Sequence, residues 1–244
     1  MIQIQRLSKS FGHPVLHDVT LSIPTGCLYG LIGPGASGKS VLLKMITALM
    51  RPDTGSVVVD GQNVQAMTEL ELASFRLKFG MLFQNNALFD AMTVAENVAF
   101  PLHRLFDLDE AEIRRRVEER LAAVSLAGFA ERTPVGLSGG QKKRVGVARA
   151  TVTRAPIIFY DEPAAGLDPV TSQKIFDLLR AEQQRAKTTV IMVSSDIERL
   201  LTVTDRVGMM YRGSLVFDGT TDEALTSTDP YVKQFVHGLA EGPL

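Results

Sequence analysis

The sequence predicts an α/β fold: a mostly parallel sheet with helices between its strands and an antiparallel edge. Short apolar runs at 27–32, 81–83, 157–160 and 189–193 are separated by stretches of helical character, the pattern of parallel strands joined through helices. Ile2, Ile4 and Leu7, then Val15, Val19, Leu21 and Ile23, alternate with polar residues, and 207–211 with 215–217 flank Gly213; these read as antiparallel pairs. The third observation is local. Gly33-Pro34-Gly35-Ala36-Ser37-Gly38-Lys39-Ser40 stands between the apolar run 27–32 and Val41-Leu42-Leu43-Lys44-Met45-Ile46, which makes strand, glycine loop and helix in succession.

In chain order, Phe11 sits beside Gly12 at the first turn, where an exposed ring can stack on a purine; a hairpin-core residue is the other reading. The loop at 33–40 matches G-x-x-x-x-G-K-S. Its glycines let successive backbone N–H groups turn inward around phosphate oxygens, and the helix behind them points its positive end at the same anion. Lys39 can reach the outer phosphates and Ser40 can ligate Mg²⁺, so the loop implies a nucleoside triphosphate. A helix is expected over 40–50, ending before Pro52, then a turn at Asp53-Thr54-Gly55, a strand over 56–59 and a hairpin pair Asp60-Gly61. Gln84 ends the strand at 81–83, where its amide can meet a metal ion or a water; a plain loop residue is the alternative.

Thr93-Val94-Ala95-Glu96 fits a capping box, and 109–126 reads as a helix with Glu112/Arg116 and Arg115/Glu119 at i,i+4. The run 114–120 interleaves both charge signs and reads as a solvated face. Leu88, Phe89, Met92, Val94, Val98, Phe100, Leu102 and Leu105 form either the core of this helical insertion or an exposed groove for a partner. Leu137-Ser138-Gly139-Gly140-Gln141 opens a helix and offers a second anion site. The strand 157–160 ends in Asp161-Glu162, two carboxylates that are costly there unless they serve a metal or a proton. Pro169 starts a helix through Arg185, a helix over 196–201 follows the strand 189–193, and short helices are expected around Ala224 and Phe235.

With 26 basic against 27 acidic residues, the chain carries no overall electrostatic footprint for nucleic acid, which is not an expected partner. At 45% hydrophobic and 22% charged the composition is ordinary globular. The one cysteine, Cys27, reads as a small buried hydrophobe. No apolar run approaches membrane-span length and Met1 is not followed by a signal-peptide block, so a soluble, cytoplasmic protein is expected, with any membrane role coming through a partner.

The glycine loop, Gln84, Leu137-Ser138-Gly139-Gly140-Gln141, the strand ending in Asp161-Glu162 and Gly166-Leu167-Asp168-Pro169, in that order, resemble the ABC-transporter ATPase family over nearly the whole chain. The resemblance implies a P-loop NTPase with a RecA-like core of mostly parallel sheet, an antiparallel β subdomain and a helical ABC subdomain. The expected single domain divides into a core at 1–84 and 155–220, a helical subdomain at 85–154 and a tail at 221–244. It further implies ATP and Mg²⁺ as cofactors and transport-coupled ATP hydrolysis. Residues 33–41, through Val41, would hold the phosphates, with Phe11 on the adenine. Ser40, Gln84 and Asp161 would serve the Mg²⁺, and Glu162 would polarise the attacking water. Ser138, Gly139, Gly140 and Asp168 would serve the nucleotide of an opposite subunit, so a head-to-tail homodimer is implied.

Residues 82–90, Met92-Thr93-Val94, Asn97 and the tail 234–243 look like the ATPase subunits of Mce/Mla-type phospholipid transporters. The partners so implied are an integral-membrane permease, an Mce-domain lipid-binding protein and a STAS-domain protein, with the ATPase peripheral on the cytoplasmic face of the inner membrane. Other importers or exporters, or a weakly hydrolysing nucleotide-gated scaffold, are the alternatives. One position departs from the family. A histidine usually follows the last core strand and bonds the γ-phosphate; here Val193-Ser194-Ser195-Asp196 puts Ser195 in that slot. Slow turnover would follow, whereas Ser195-x-x-Glu198 also reads as a plain capping box.

Overall fold

A computed structural model describes residues 1–244. From the N-terminus, β1 (Ile2–Ser10) and β2 (Pro14–Ile23) form a hairpin, and β3 (Leu28–Ile32) leads through the glycine loop into α1 (Lys39–Ile46). Next come β4 (Thr54–Val59), β5 (Gln62–Asn63), α2 (Glu69–Arg76), β6 (Phe79–Leu82), α3 (Val94–Leu105), α4 (Glu110–Ala123) and α5 (Gly139–Thr151). The chain continues with β7 (Ile157–Asp161), α6 (Pro169–Ala186), β8 (Thr189–Val193), α7 (Ile197–Val203), β9 (Arg206–Tyr211), β10 (Ser214–Thr220), α8 (Thr221–Leu225) and α9 (Pro230–His237).

Contacts divide the chain into two units, residues 1–76 with 191–244 and residues 77–190. The boundaries expected at 84/85 and 154/155 lie inside the second unit, because β6 pairs in parallel with β7 and α5 packs on β6. The chain returns to the first unit within β8.

In the first unit, Ile2 and Ile4 of β1 are buried at period two, Leu7 is buried three residues on because the register shifts between it and Ile4, and the antiparallel sheet runs β2-β1-β4-β5. The expected turn at 53–55 is instead partly strand. Gly55 lies in β4 with φ 85, where a Cβ would come 2.3 Å from the Arg6 carbonyl oxygen. Opposite it Arg6 takes φ 46, and the register shifts there as a bulge. The Asp60-Gly61 pair has φ 49 and 80, the two left-handed positions of a tight hairpin. A second group of strands runs β10-β9-β3, antiparallel between β10 and β9 and parallel between β9 and β3.

The helix expected over 40–50 stops at Ile46. The Thr47 hydroxyl donates to the Leu43 carbonyl at 3.0 Å, Ala48 turns left-handed at φ 57, and the amides of Leu49 and Met50 both return to the Lys44 carbonyl. The tail forms both expected helices. α8 starts with a Thr220/Glu223 capping box, and Tyr231 of α9 packs its ring 5.1 Å from that of Tyr211.

In the second unit, α3 carries the expected Thr93/Glu96 capping box, and the Asp109 carboxylate caps α4. Both i,i+4 pairs of α4 form, Arg116–Glu112 at 2.7 Å and Arg115–Glu119 at 3.5 Å. The charged run is not wholly a solvated face, however. Arg120 is buried and ion-paired with Glu182 of α6, the two side chains only 6% and 9% exposed. Buried Asn97 organises the turn before α3: its Oδ1 accepts from the Phe89 amide and its Nδ2 donates to the carbonyls of Phe89, Met92 and Thr93. The apolar cluster at 88–105 splits as well. Val94, Val98 and Leu102 are core, whereas Phe89 and Leu105 are exposed. No helix is long and apolar enough to cross a membrane.

Candidate functional site

Buried β3 delivers the chain into the glycine loop of the first unit. Gly33 adopts φ 139, and a Cβ there would lie 2.1 Å from the Met210 carbonyl oxygen, so only glycine fits. Ala36 is left-handed at φ 58 and Gly38 at φ 100, where a Cβ would meet the Leu16 side chain at 2.5 Å. Gly35 faces open space and is exposed. Backbone turned this way makes a concave nest of N–H groups, and the α1 N-terminus at Gly38 carries no side-chain cap. The Lys39 ammonium lies across the loop. It donates to the carbonyls of Gly33 and Pro34 at 2.8 Å each and to the Ser37 hydroxyl at 3.2 Å. Ser40 and Val41 occupy the first turn of α1, Ser40 exposed and Val41 partly so. The cradle therefore fits a polyphosphate.

Phe11, also in this unit, is 48% exposed, with the Lys9 ammonium 5.5 Å from its ring centre. The hairpin-core reading of Phe11 is thereby removed. Ser195 is exposed, and α7 takes Asp196 as its N-cap in place of the expected Ser195. Asp196 caps α7 instead: its carboxylate accepts from the Arg199 amide at 3.3 Å and pairs with the Arg199 guanidinium at 2.7 Å, a charged partnership that a serine cannot match. Ser195 lines a cavity of about 690 Å³ together with Glu198, Leu225, Phe235 and His237.

The remaining candidates lie in the second unit and fall into two groups. Asp161 ends β7, and Glu162 turns left-handed immediately after it at φ 48. Gln84 follows β6 with an exposed side chain. Between them stands a residue that sequence reasoning passed over. The Lys143 ammonium of α5 donates to the Gln84 carbonyl at 2.6 Å and to the Glu162 carbonyl at 3.0 Å. Burial pushes the Lys143 pKa down, while the charges of Glu162 and Asp161 pull it back up. A signal for it was present: Lys143, Val147 and Ala150 recur at helical spacing on one buried face.

The second group joins two helix starts. Ser138 caps α5 in a reciprocal capping box with Gln141. Asp168 caps α6, accepting from the amides of Val170 at 3.0 Å and Thr171 at 2.9 Å. The Thr171 side chain and then these amides hold the Asp168 carboxyl below its usual range. A Cβ on Gly140 would approach the Thr171 methyl to 2.8 Å, and one on Gly139 would lie 3.1 Å from Leu167, so the glycines set how closely the two starts approach.

In the second unit Gln84 and Asp161 carry amide and carboxylate oxygens, and in the first Ser40 carries a hydroxyl, each the kind of donor a hard divalent cation takes. No group of three or more His, Cys, Asp or Glu gathers as an all-protein cage.

The glycine cradle under Lys39 and the parallel strand ending in paired carboxylates define a P-loop nucleotide-binding protein of α/β class. The family described as ABC transporter matches residues 16–165, and the chain belongs to it. It is similar, at 41% identity over all of its length and 68% of the relative's, to the probable ribonucleotide transport ATP-binding protein Mkl of Mycobacterium tuberculosis. It is 38% identical, over 97% of its length and 72% of the relative's, to the methionine import ATP-binding protein MetN 1 of Pseudomonas putida. Among solved structures, it resembles an ATP-binding cassette captured as a dimer after hydrolysis with ADP and Pi. That likeness has a TM-score of 0.82 at 31% identity, over 91% of this chain and 99% of the other. CbiO1 of Clostridium perfringens, part of an ABC transporter complex, matches at TM-score 0.86 and 26% identity over 98% and 95%. The chain is thus an ATP-binding subunit of an ABC transporter, an ATPase that works on ATP with Mg²⁺.

Proposed function

We propose that this ATPase powers phospholipid transport across the cell envelope, as a head-to-tail homodimer on the cytoplasmic face of an inner-membrane permease, with Mce-domain and STAS-domain partners. The observation that carries the permease reading is an apolar groove of about 300 Å³ in the second unit. Phe83, Phe89, Phe100 and Leu105 line it, and Phe83, Phe89 and Leu105 are 44%, 41% and 47% exposed. Exposed rings gathered on one concave face suit a docked apolar helix. Gln84 follows Phe83 directly, so a docked partner would bear on it. The lipid reading rests on residues 82–90 and 234–243, whose sequence resembles phospholipid-transport ATPases.

In this reading residues 33–41 bind the phosphates with Lys39 as their cation, and Phe11 stacks on the adenine. Mg²⁺ supplies charge neutralisation of the phosphates, and Ser40, Gln84 and Asp161 would hold it. Glu162 orients and polarises water. Ser138, Gly139, Gly140 and Asp168 act on the nucleotide of the opposite subunit. Residues 85–154 work as the helical subdomain against a core at 1–84 and 155–220, and the tail at 221–244 adds contacts between subunits. Ser195 slows turnover. A second reading, transport of a small polar solute, draws on the relatives named for ribonucleotide and methionine transport.

Purifying the chain from membranes tests the choice. The lipid reading expects a permease, an Mce-domain protein and bound phospholipid to accompany it. A permease with a solute-binding protein and no bound lipid would sink that reading in favour of the second.

A further inference from the structure

α5 holds the segment after β6 through its cations. Lys143 donates to the Gln84 carbonyl at 2.6 Å, and Arg149 donates to the carbonyls of Asn86 and, at 2.7 Å, Ala87. Asn86 and Ala87 are both left-handed, at φ 59 and 50, so the segment is a tight turn pinned by side chains. Gly146 lets the helix come this close: a Cβ there would lie 2.5 Å from Leu82. The same segment forms one wall of the apolar groove, through Phe83 and Ala87, and Arg149 lines that groove as well.

Lys143 does one thing more. Its second bond, at 3.0 Å, goes to the carbonyl of Glu162, whose left-handed backbone is a costly conformation for a residue with a side chain. Lys143 is only 4% exposed, and its two acceptors are carbonyls, with the Glu162 and Asp161 charges acting on it as well. A buried ammonium so placed carries a desolvation cost that a methionine of similar length would not. Its distinct capability is to donate to two loops at once, since an ammonium has three donors.

We propose that Lys143 is a positioning residue that links the Gln84 segment to the Glu162 turn, so that a partner seated in the groove and the water-orienting carboxylate are mechanically coupled. This rests on the roles of Gln84 and Glu162 given above. Displacement at Phe83 moves the Gln84 carbonyl, and Lys143 transmits that to the backbone that aims Glu162.

Steady-state ATPase of the assembled complex tests the link. Lys143→Met should lower kcat by about tenfold or more while leaving the KM for ATP within about twofold and the melting temperature unchanged. Lys143→Arg, which keeps donors for both carbonyls, should restore most of the rate. An unchanged kcat in Lys143→Met overturns the proposal, as does a loss in which kcat, KM and melting temperature all move together. If Lys143→Met does not fold, Lys143→Gln is judged by the same split. The underlying reading fails separately, if Glu162→Gln retains turnover.

Discussion

Ser195 and Asp196 divide between them what a single serine was expected to do. Asp196 caps α7 and pairs with Arg199. Ser195→His therefore leaves the cap intact while placing in that slot the imidazole that the sequence resemblance implies. A hydrogen bond to a charged group is worth about 1.5–3 kcal/mol. If the imidazole bonds the γ-phosphate only in the transition state, turnover should rise on the order of ten- to a hundred-fold. Equal steady-state rates in the two proteins would remove Ser195 from the explanation of turnover. At this scale the glycines, Lys39 and Asp161-Glu162 were legible because their spacing is itself the chemical requirement. The Asp196 cap and the Lys143 bridge were not, since adjacent candidates compete for one helix start and a lysine's reach depends on which loops fold beneath it.

At the scale of an element, α4 shows how one helix splits a run of charges. Arg115 and Arg116 form surface pairs with Glu112, whose carboxyl they hold down to about 2. Arg120 instead turns into the unit against Glu182, which Arg185 also contacts at 3.0 Å. Arg120→Met leaves Glu182 buried with one exposed partner, so it should cost about 3 kcal/mol, at the low end for a broken buried pair. Arg120→Met combined with Glu182→Leu should recover most of that loss, whereas Arg114→Ala should stay within about 0.5 kcal/mol. Urea unfolding midpoints distinguish these outcomes; a cost below 0.5 kcal/mol for Arg120→Met alone would show the pair to be dispensable. Charge alternation alone cannot assign the face, because 3.6-residue periodicity leaves open which stripe meets α6. Likewise α1 was expected to run to residue 50, but it stops at Ile46 and the amides of Leu49 and Met50 return to the Lys44 carbonyl.

For the whole molecule, one chain carries one glycine cradle and one Ser138-Gly139-Gly140 turn, each a half-site in the proposed pair. Glu162→Gln should abolish turnover, by at least about a hundredfold if the carboxylate acts on the water. With ATP and Mg²⁺ the same variant should run at twice the chain's mass by light scattering, since ATP that is not hydrolysed keeps the pair closed. Undiminished turnover would take Glu162 out of its role, and a monomer under those conditions would argue against the ATP-bound pair. By itself the sequence determined the α/β alternation, the phosphate loop, the capping box of α3 and the order of the motifs, because each is set by neighbours a few residues apart. Only the tertiary structure decided that Phe89 and Leu105 face a groove while Val94 and Leu102 are core, that Arg120 is buried, and that Lys143 ties Gln84 to Glu162. Those outcomes depend on which surfaces meet across many residues of chain, and burial is a property of the meeting, not of the residue.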